Sequence, residues 1–345
     1  MAVRRAGAGR LMGAIVHIGY HKTGTTWFQE HFYPAVRNRR YVPRATAHAA
    51  FLRPGALHFD PIEALHIIGT AADETILCEE NLSGGLHNGG LAGALSKDVA
   101  SRIARTLPDA QIVIFVRDPL SAIASAWVQY VKGGGTFGLR RYLFGRDRLS
   151  PVAPERDEPP GFCFEHFDYA RLIAHYDALF DPEQVHVFRY EHFRADPRGF
   201  AARYAARLGL AVDLDQIDWR ARNPSLSRPL LWMARAMNLF TRRAVADKSW
   251  IVHIPGWYKL SRRLLRRASA SGRFGRPLRA QALIDPALRH HIRTRYAQSE
   301  ALLAARLRWQ DEASQGSDGW AKTGRGRRRR HGDDDRPSQT PAHCR

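Results

Sequence analysis

The chain has 345 residues, 44% of them hydrophobic, and carries 53 Lys and Arg against 33 Asp and Glu, a net charge of +20. This composition allows a large folded core, and the positive charge predicts an anionic ligand or a polyanionic partner. The three cysteines are far apart and lack C-x-x-C spacing, which argues against a disulfide framework or a cysteine zinc site and favours a reducing cytoplasm. No apolar segment is long enough to span a membrane.

Four short apolar runs predict buried strands. They are AIVHIG from Ala14, TILCEE from Thr75, QIVIFVR from Gln111 and QVHVFRY from Gln184. Residues 1–13 are interpreted as an arm and not a signal peptide, because the apolar stretch leads directly into a glycine loop. Each strand lies close to a stretch of helical period, so the sequence predicts an α/β fold, a parallel sheet with helices on both faces.

The rest of the chain divides by composition. Residues 133–161 are rich in Gly, Pro and charge and predict a long loop that could act as a lid. We expect one catalytic domain over residues 14–312, in which 222–312 form a helical, basic part. Residues 313–345 are predicted to be a disordered basic tail.

Polar residues follow three of the predicted strands. Ligands of parallel sheets bind at the carboxyl ends of the strands. The pattern therefore brings residues 20–26, residues 79–83 and Arg117 to one rim of the sheet.

The stretch HIGYHKTGTTW is similar to a phosphate-binding loop, G-x-x-x-x-G-K-[ST]. Gly19, Gly24 and Thr26 match that pattern, but Thr25 stands where the lysine belongs, and Lys22 comes three residues too early. A strand, a glycine-rich turn and a helix predict an anion cradle made of backbone N–H groups and threonine hydroxyls. The alternative is an ordinary tight turn that caps a helix.

A second motif, FVRDPLSAIASAW, follows the third strand. Arg117 ends the strand, Asp118 and Pro119 suit the start of a helix, and Ser125 lies on that helix. We interpret Arg117 and Ser125 as a second anion site, although an incidental arginine beside a helix cap is the alternative. Two anion sites suit a nucleotide with phosphates at both ends of its ribose.

These segments resemble those of bacterial members of the PAPS-dependent sulfotransferase family. HIGYHKTGTTW resembles the family's 5′-phosphosulfate loop, and VRDPLSAIAS resembles its 3′-phosphate motif. VFRYEHFRADPRGFAARYAARLGL and RNPSLS resemble further segments, so that the resemblance covers about residues 14–230. It implies a P-loop-like fold and transfer of a sulfuryl group from 3′-phosphoadenosine-5′-phosphosulfate (PAPS) to an acceptor hydroxyl.

The resemblance also implies roles for individual residues. The positions that would hold the 5′ end of the donor are Lys22, Thr23, Gly24, Thr25 and Thr26. Arg117 and Ser125 would hold the 3′-phosphate. Lys22 would also be catalytic, because it would stabilise charge on the bridging and leaving oxygens.

The family uses a histidine or a glutamate as general base. Glu80 matches the glutamate of a comparable strand-end segment, and its neighbour Glu79 departs from that pattern. Adjacent side chains on an extended stretch point to opposite sides, so only one should face the site. The alternatives are that both pair with nearby arginines, or that His87 or His21 is the base. His17 lies within a strand and is interpreted as a core histidine.

The acceptor is expected to be a hydroxyl of a carbohydrate or a glycolipid, because the basic C-terminal part suits an acidic partner. Residues 242–308 hold 16 Lys and Arg against 3 Asp and Glu. The segment PLLWMARAMNLFTRR from Pro229 carries an apolar stripe that could contact a membrane peripherally. A core-facing helix is the favoured interpretation of that stripe.

Two other functions stay open. A Mg²⁺-dependent P-loop kinase needs a lysine after the second glycine and an aspartate at a strand end, and the sequence has neither. A nucleic-acid-binding protein could use the basic tail, but no base-reading motif is present. We expect no metal in the sulfotransferase reaction.

Overall fold

The computed structural model of the protein describes residues 13–69, 71–145, 162–219, 226–275 and 280–323. The chain divides into two units, Met1–Leu303 and Ala304–Arg345. The sheet and the candidate site belong to the first unit.

Five parallel strands form the sheet. They are β1 (Ile15–Gly19), β2 (Arg40–Tyr41), β3 (Thr75–Cys78), β4 (Gln111–Val116) and β5 (Val185–Arg189). Their order is β2-β3-β1-β4-β5, which puts β1 between β3 and β4. The strand order changes direction at β1, because β3 lies on one side of it and β4 on the other. Sheets of this kind bind ligands at the carboxyl ends of the strands at such a point. The ends of β3, β1 and β4 therefore border one site.

Both faces of the sheet are covered. All residues of β1, β3 and β4 are buried, whichever face they point to. On one face Val113 and Phe115 join an aromatic cluster that includes Phe28, Phe32 and Tyr204. Phe115 lies 5.0 Å from Phe28 between ring centroids. This packing fixes the start of the helix after β1 against the sheet.

The α-helices are α1 (Thr25–Trp27), α2 (Arg44–Ala47), α3 (Pro61–Ile68), α4 (Gly89–Ala92), α5 (Ala94–Thr106), α6 (Pro119–Lys132), α7 (Leu139–Phe144), α8 (Tyr169–Leu179), α9 (Tyr190–Ala195), α10 (Pro197–Arg207), α11 (Arg228–Asn238), α12 (Trp257–Ala270) and α13 (Pro286–Thr323). Shorter 3₁₀ turns include Tyr33–Ala35, Ala56–His58, Ala72–Glu74, Glu80–Ser83, Phe164–Phe167, Pro182–Gln184, Leu214–Gln216 and Ala280–Leu283. The π-helical turns are Phe28–Phe32 and His48–Leu52.

The α/β prediction is confirmed, and each of the four predicted strands is present within one to two residues of its expected bounds. The two-residue edge strand β2 and the helix α3 were not predicted. Within the predicted lid, α7 is helical, and residues 146–161 lie outside the described part of the chain. Helix α13 continues to Thr323, past residue 312. None of the described helices is both long enough and apolar enough to cross a bilayer.

Candidate active site

The loop between β1 and α1 closes on the end of β3. Gly19 has φ +105°, and a Cβ placed there would lie 3.1 Å from the Glu80 Cα atom. Gly24 has φ +91°, and its Cβ would lie 3.2 Å from the Phe193 ring. Both positions therefore require glycine, for backbone conformation and for space. Lys22 also has a positive φ of 64°, a strained conformation for a residue with a side chain.

Part of this loop has backbone N–H groups that no described residue engages. No described residue accepts a hydrogen bond from the backbone N–H groups of residues 22–26. The hydroxyls of Thr23 and Thr25 donate to the carbonyl of Tyr20, so here they hold the loop in shape. Thr26 is exposed at the start of α1. The loop thus presents a set of free donors at a helix N-terminus, which suits an anion.

Lys22 reaches across the loop to α6. Its ammonium nitrogen lies 3.4 Å from Gln129 Oε1. Although Lys22 is exposed, partial removal of the ammonium from water, helped by nearby Lys132 and Arg117, lowers its pKa to about 8. The charge of Glu80 acts in the opposite direction. A cation destabilised in this way gains when an anion approaches it.

Arg117, at the end of β4, ties this loop to α6. Its Nε donates to Ser121 Oγ at 2.7 Å, and one terminal nitrogen donates to the Lys22 carbonyl at 2.9 Å. The guanidinium also lies over the Tyr190 ring, 5.1 Å from its centroid. Burial lowers the pKa of Arg117, which nevertheless stays charged at any ordinary pH. Arg117 is held in place and has further donor capacity for an anion.

Ser125 lies on the α6 face that meets the loop. Ser121, Ser125 and Gln129 are four residues apart and so lie on one side of the helix. The first of them contacts Arg117 and the last contacts Lys22. Ser125 sits between these contacts and is partly exposed, whereas most of α6 is buried. The spacing thus places Ser125 on the side of α6 that contacts both Arg117 and Lys22.

Glu79 is a structural carboxylate. Its side chain is 0% exposed and forms a two-point ion pair with Arg44, one N–O distance being 2.9 Å. The same carboxylate accepts hydrogen bonds from the backbone and side-chain nitrogens of Asn81, at 2.9 and 2.7 Å. Glu79 therefore caps the 3₁₀ turn Glu80–Ser83 and fixes the chain where it leaves β3.

The carboxylate of Glu80 has fewer polar partners than that of Glu79. Its Oε1 lies 3.4 Å from Arg44, and its Oε2 is buried with no described hydrogen-bond partner. Burial raises the pKa of Glu80 above its ordinary value of 4.5, and Glu79 raises it further, against the attraction of Arg44 and Lys22. Because the chain turns into a 3₁₀ helix at Glu80, both carboxylates reach Arg44, and the expectation of opposite sides was wrong. The alternative, that both carboxylates pair with an arginine, agrees with these contacts, and Glu80 keeps one oxygen without a described partner.

Three histidines lie near these groups. His21 contacts the Asn81 amide oxygen at 3.1 Å, and His87 contacts the Tyr142 hydroxyl at 2.7 Å. Burial lowers the pKa of each to about 4. Both imidazoles are therefore neutral at pH 7 and are weak bases. His17 is fully buried and contacts the Tyr33 hydroxyl at 2.8 Å, which confirms its interpretation as a core histidine.

Sequence reasoning did not identify several contributors to this region. Arg44 lies on a short helix with no motif, and only the structure shows it beside Glu79 and Glu80. Gln129 could have been found, because it follows Ser125 by one helical turn. His166 packs against Tyr20 with ring centroids 5.0 Å apart, and burial lowers its pKa to about 3.

The described residues include no group of three or more His, Cys, Asp or Glu side chains arranged to hold a metal ion. The RNPSLS segment lies mostly outside the described residues, and only Leu226 and Ser227 belong to the structure.

Comparison with known proteins gives one family. The Sulfotransferase family matches residues 98–214, which contain Arg117 and Ser125 but not the loop after β1. No curated protein matches the chain. A sulfotransferase from Alicyclobacillus acidocaldarius is similar at 19% identity over 78% of this chain and 98% of its own, with a TM-score of 0.44. The mouse sulfotransferase SULT7A1, complexed with PAP, is similar at 11% identity over 84% of this chain and 85% of its own, with a TM-score of 0.38. These two likenesses are weak.

The matched segment begins within α5, runs through β4, β5 and α10, and ends at Leu214. It thus includes two neighbouring strands and the motif with Arg117 and Ser125. The other part of the rim, with its glycine loop and Glu80, adjoins it through β1 in the same sheet. Residues 98–214 of the chain are therefore similar to the Sulfotransferase family, and this likeness includes Arg117 and Ser125.

Proposed function

We propose that the protein transfers a sulfuryl group from PAPS to an acceptor hydroxyl of a carbohydrate or a glycolipid. The observation that supports the proposal is the contact between two candidate anion sites. One is the set of amides of residues 22–26, for which no described residue is an acceptor, and the other is Arg117 with Ser125. The Arg117 guanidinium donates to the Lys22 carbonyl, so the two sites are in direct contact.

The loop after β1 suits the 5′-phosphosulfate end of the donor. Free backbone N–H groups and the helix N-terminus can bind its negative oxygens. Lys22, whose pKa of about 8 leaves it mostly charged at neutral pH, would lie near the oxygen that bridges phosphorus and sulfur. Thr23 and Thr25 would keep the loop in shape through Tyr20, while the hydroxyl of Thr26 is exposed to a ligand.

Arg117 and Ser125 suit the 3′-phosphate. Arg117 is already oriented by Ser121 and by the Tyr190 ring, so little side-chain entropy is lost when an anion binds. Ser125 supplies one hydroxyl donor on the same helix face. The distinction between a nucleotide with a 3′-phosphate and one without it would depend on these two side chains.

In the proposed reaction the acceptor oxygen attacks sulfur and forms a new S–O bond. The S–O bond to the 5′-phosphate breaks, and its electron pair goes to adenosine 3′,5′-bisphosphate. Glu80 takes the acceptor proton on its unpartnered oxygen, and Lys22 and the loop amides stabilise the leaving oxygen. A raised pKa makes Glu80 a stronger base than an exposed glutamate.

The experiment offers PAPS and ATP in parallel, each with and without EDTA, together with an extract of carbohydrates and glycolipids. We expect sulfate transfer from PAPS that persists in EDTA. A strict requirement for Mg²⁺ with ATP as the donor would replace this proposal by the kinase. The strand ends carry Glu79, Arg117 and Tyr190, and none of these is the aspartate that such a kinase uses.

A further inference from the structure

A cluster of large apolar side chains is exposed to solvent beyond the site. We call it the apolar ridge. It consists of Trp250, Ile251, Val252, Ile254, Leu260 and Leu264, which are between 39% and 69% exposed. The first four lie in the segment before α12, and the two leucines lie one turn apart on α12 itself. Large apolar side chains are rarely exposed together, so the ridge indicates a contact surface for a partner.

The ridge is held in place by the chain behind it. The backbone N–H groups of Ile251 and Ile254 donate to the carbonyls of Leu239 and Phe240, at 2.8 and 3.1 Å. The indole N–H of Trp257 donates to the Met237 carbonyl at 2.8 Å. The exposed side chains therefore project from an anchored segment.

Helix α12 turns most of its side chains outward. Only Ser261 and Leu265 are buried, which leaves Leu260 and Leu264 on the outer surface beside Lys259, Arg263, Arg266 and Arg267. The helix thus presents an apolar strip flanked by cations to whatever lies outside the protein.

The charge around the ridge has one sign. Residues 242–274 contain nine Lys and Arg and a single acidic residue, Asp247. The guanidinium of Arg242 lies 4.6 Å from the Trp250 ring centroid, so a cation is in direct contact with the ridge. An exposed apolar strip, an exposed tryptophan and a row of cations are the features of segments that lie in the interface of an anionic membrane.

The apolar stripe of α11 does not serve this purpose. Leu230 is buried in the protein, and Met233, Met237 and Phe240 are partly exposed, which favours the core-facing interpretation of that stripe. Trp232 of α11 is 60% exposed, and the apolar ridge follows α11 in the chain. Nucleic acid would engage the cations but would leave the ridge exposed to water.

The ridge is linked to the candidate site. The Tyr258 hydroxyl, in the first turn of α12, donates to the Lys132 carbonyl at the end of α6 at 2.9 Å. Lys132 is in turn close enough to Lys22 to lower its pKa. A hydrogen bond thus joins α12 to the end of α6, the helix whose Gln129 contacts Lys22.

We propose that the apolar ridge and the cations of α12 dock the enzyme on an anionic lipid surface. The apolar side chains enter the headgroup boundary, and Lys259 and Arg263 contact the lipid phosphates. This inference goes beyond the proposed function and holds whatever donor the site uses.

The test measures binding of the full chain to vesicles of phosphatidylcholine with and without 30% phosphatidylglycerol, by flotation, on the order of 0.1 M salt. We expect binding to the anionic vesicles only. The triple variant Ile251→Ser, Leu260→Gln and Leu264→Gln changes no charge and should weaken binding at least tenfold. The matched control, Leu57→Gln with Ile62→Gln, removes exposed apolar side chains elsewhere and should leave binding unchanged.

A second pair of variants tests the charges. Lys259→Glu with Arg263→Glu should also weaken binding at least tenfold, since each cation near such a surface contributes a factor of about five. Arg53→Glu with Lys97→Glu, at exposed positions of other elements, is the control. Thermal unfolding verifies that every variant is folded.

Three outcomes would overturn the proposal. Wild-type protein that binds both vesicles equally, or neither, removes the anionic surface as partner. Variants of the ridge that bind like wild type assign the binding to another part of the chain. A wild-type dimer in sedimentation velocity that the triple variant dissociates assigns the ridge to a second copy of the chain.

Discussion

The substitution Glu80→Gln separates proton transfer from every other role of this side chain. Glutamine has the same size and keeps the contact with Arg44, but it cannot take a proton from the acceptor. General-base catalysis contributes about two to four orders of magnitude. We therefore expect turnover to fall by that factor, while affinity for adenosine 3′,5′-bisphosphate changes little.

The structure also predicts the effect on stability. Burial raises the pKa of Glu80, so the folded state disfavours its ionised form, and this cost is present at every pH above its ordinary value of 4.5. Since the glutamine side chain that replaces Glu80 carries no charge, the cost disappears in the variant. The free energy of unfolding at pH 7 should therefore be unchanged or higher than that of the wild type.

The neighbouring substitution Glu79→Gln should behave in the opposite way. It removes a charged partner of Arg44 that is fully buried and accepts four hydrogen bonds. The expected loss is about 1–3 kcal/mol in the free energy of unfolding, since Arg44 itself is half exposed and can be solvated. Turnover of the folded variant should stay within about tenfold of wild type.

The assay follows labelled sulfate from PAPS into a carbohydrate and glycolipid extract, beside urea unfolding of the same preparations. For the wild type, kcat/KM should fall on the acid side as Glu80 is protonated, with an apparent pKa above 4.5. If Glu80→Gln keeps turnover within tenfold, or if both variants lose activity alike, the base lies elsewhere and His87→Ala is the next variant to measure.

Three further predictions concern the anion sites. Affinity for adenosine 3′,5′-bisphosphate should fall as pH rises through about 8, where Lys22 loses its proton; Lys22→Ala should abolish this step in calorimetry and cost about 3 kcal/mol in transition-state stabilisation. Ser125→Ala should reduce the preference for the bisphosphate over AMP by roughly three- to tenfold, the worth of one hydrogen bond, whereas Ser101→Ala on α5 should not change it. Gly24→Ala should lower affinity and stability by about 1–2 kcal/mol, because a φ of +91° is strained for a residue with a side chain and a Cβ would lie 3.2 Å from the Phe193 ring. Gly209→Ala has a positive φ but an open surrounding, so denaturant unfolding should show a smaller loss.

The sequence alone was sufficient to predict the strands that have a clear local pattern of apolar residues. β1, β3, β4 and β5 are continuous apolar runs, and buried parallel strands have that pattern. β2 has only two residues, one of them exposed, and is defined by its pairing with β3. Such a strand leaves no periodic signal, so it could not be predicted.

The residues of the candidate site likewise include some that the sequence identified and some that it did not. The glycine loop, Arg117 and Ser125 were identifiable because each belongs to a motif at a strand end. The different states of Glu79 and Glu80 were not, because they depend on Arg44, which lies 35 residues before Glu79. Ion pairs between residues so far apart in the sequence depend on the packing of α2 against β3, which the spacing of residues in the sequence does not reveal.

In the proposed function, two anion sites hold a nucleotide with phosphates at both ends of its ribose. Calorimetry in EDTA tests it without knowledge of the acceptor, by titrating the protein with adenosine 3′,5′-bisphosphate, ADP and AMP. The two-site account predicts that the bisphosphate binds at least tenfold more tightly than ADP and that Arg117→Ala removes most of this difference. Equal affinities in EDTA, or tighter binding of ADP when Mg²⁺ is added, would contradict it.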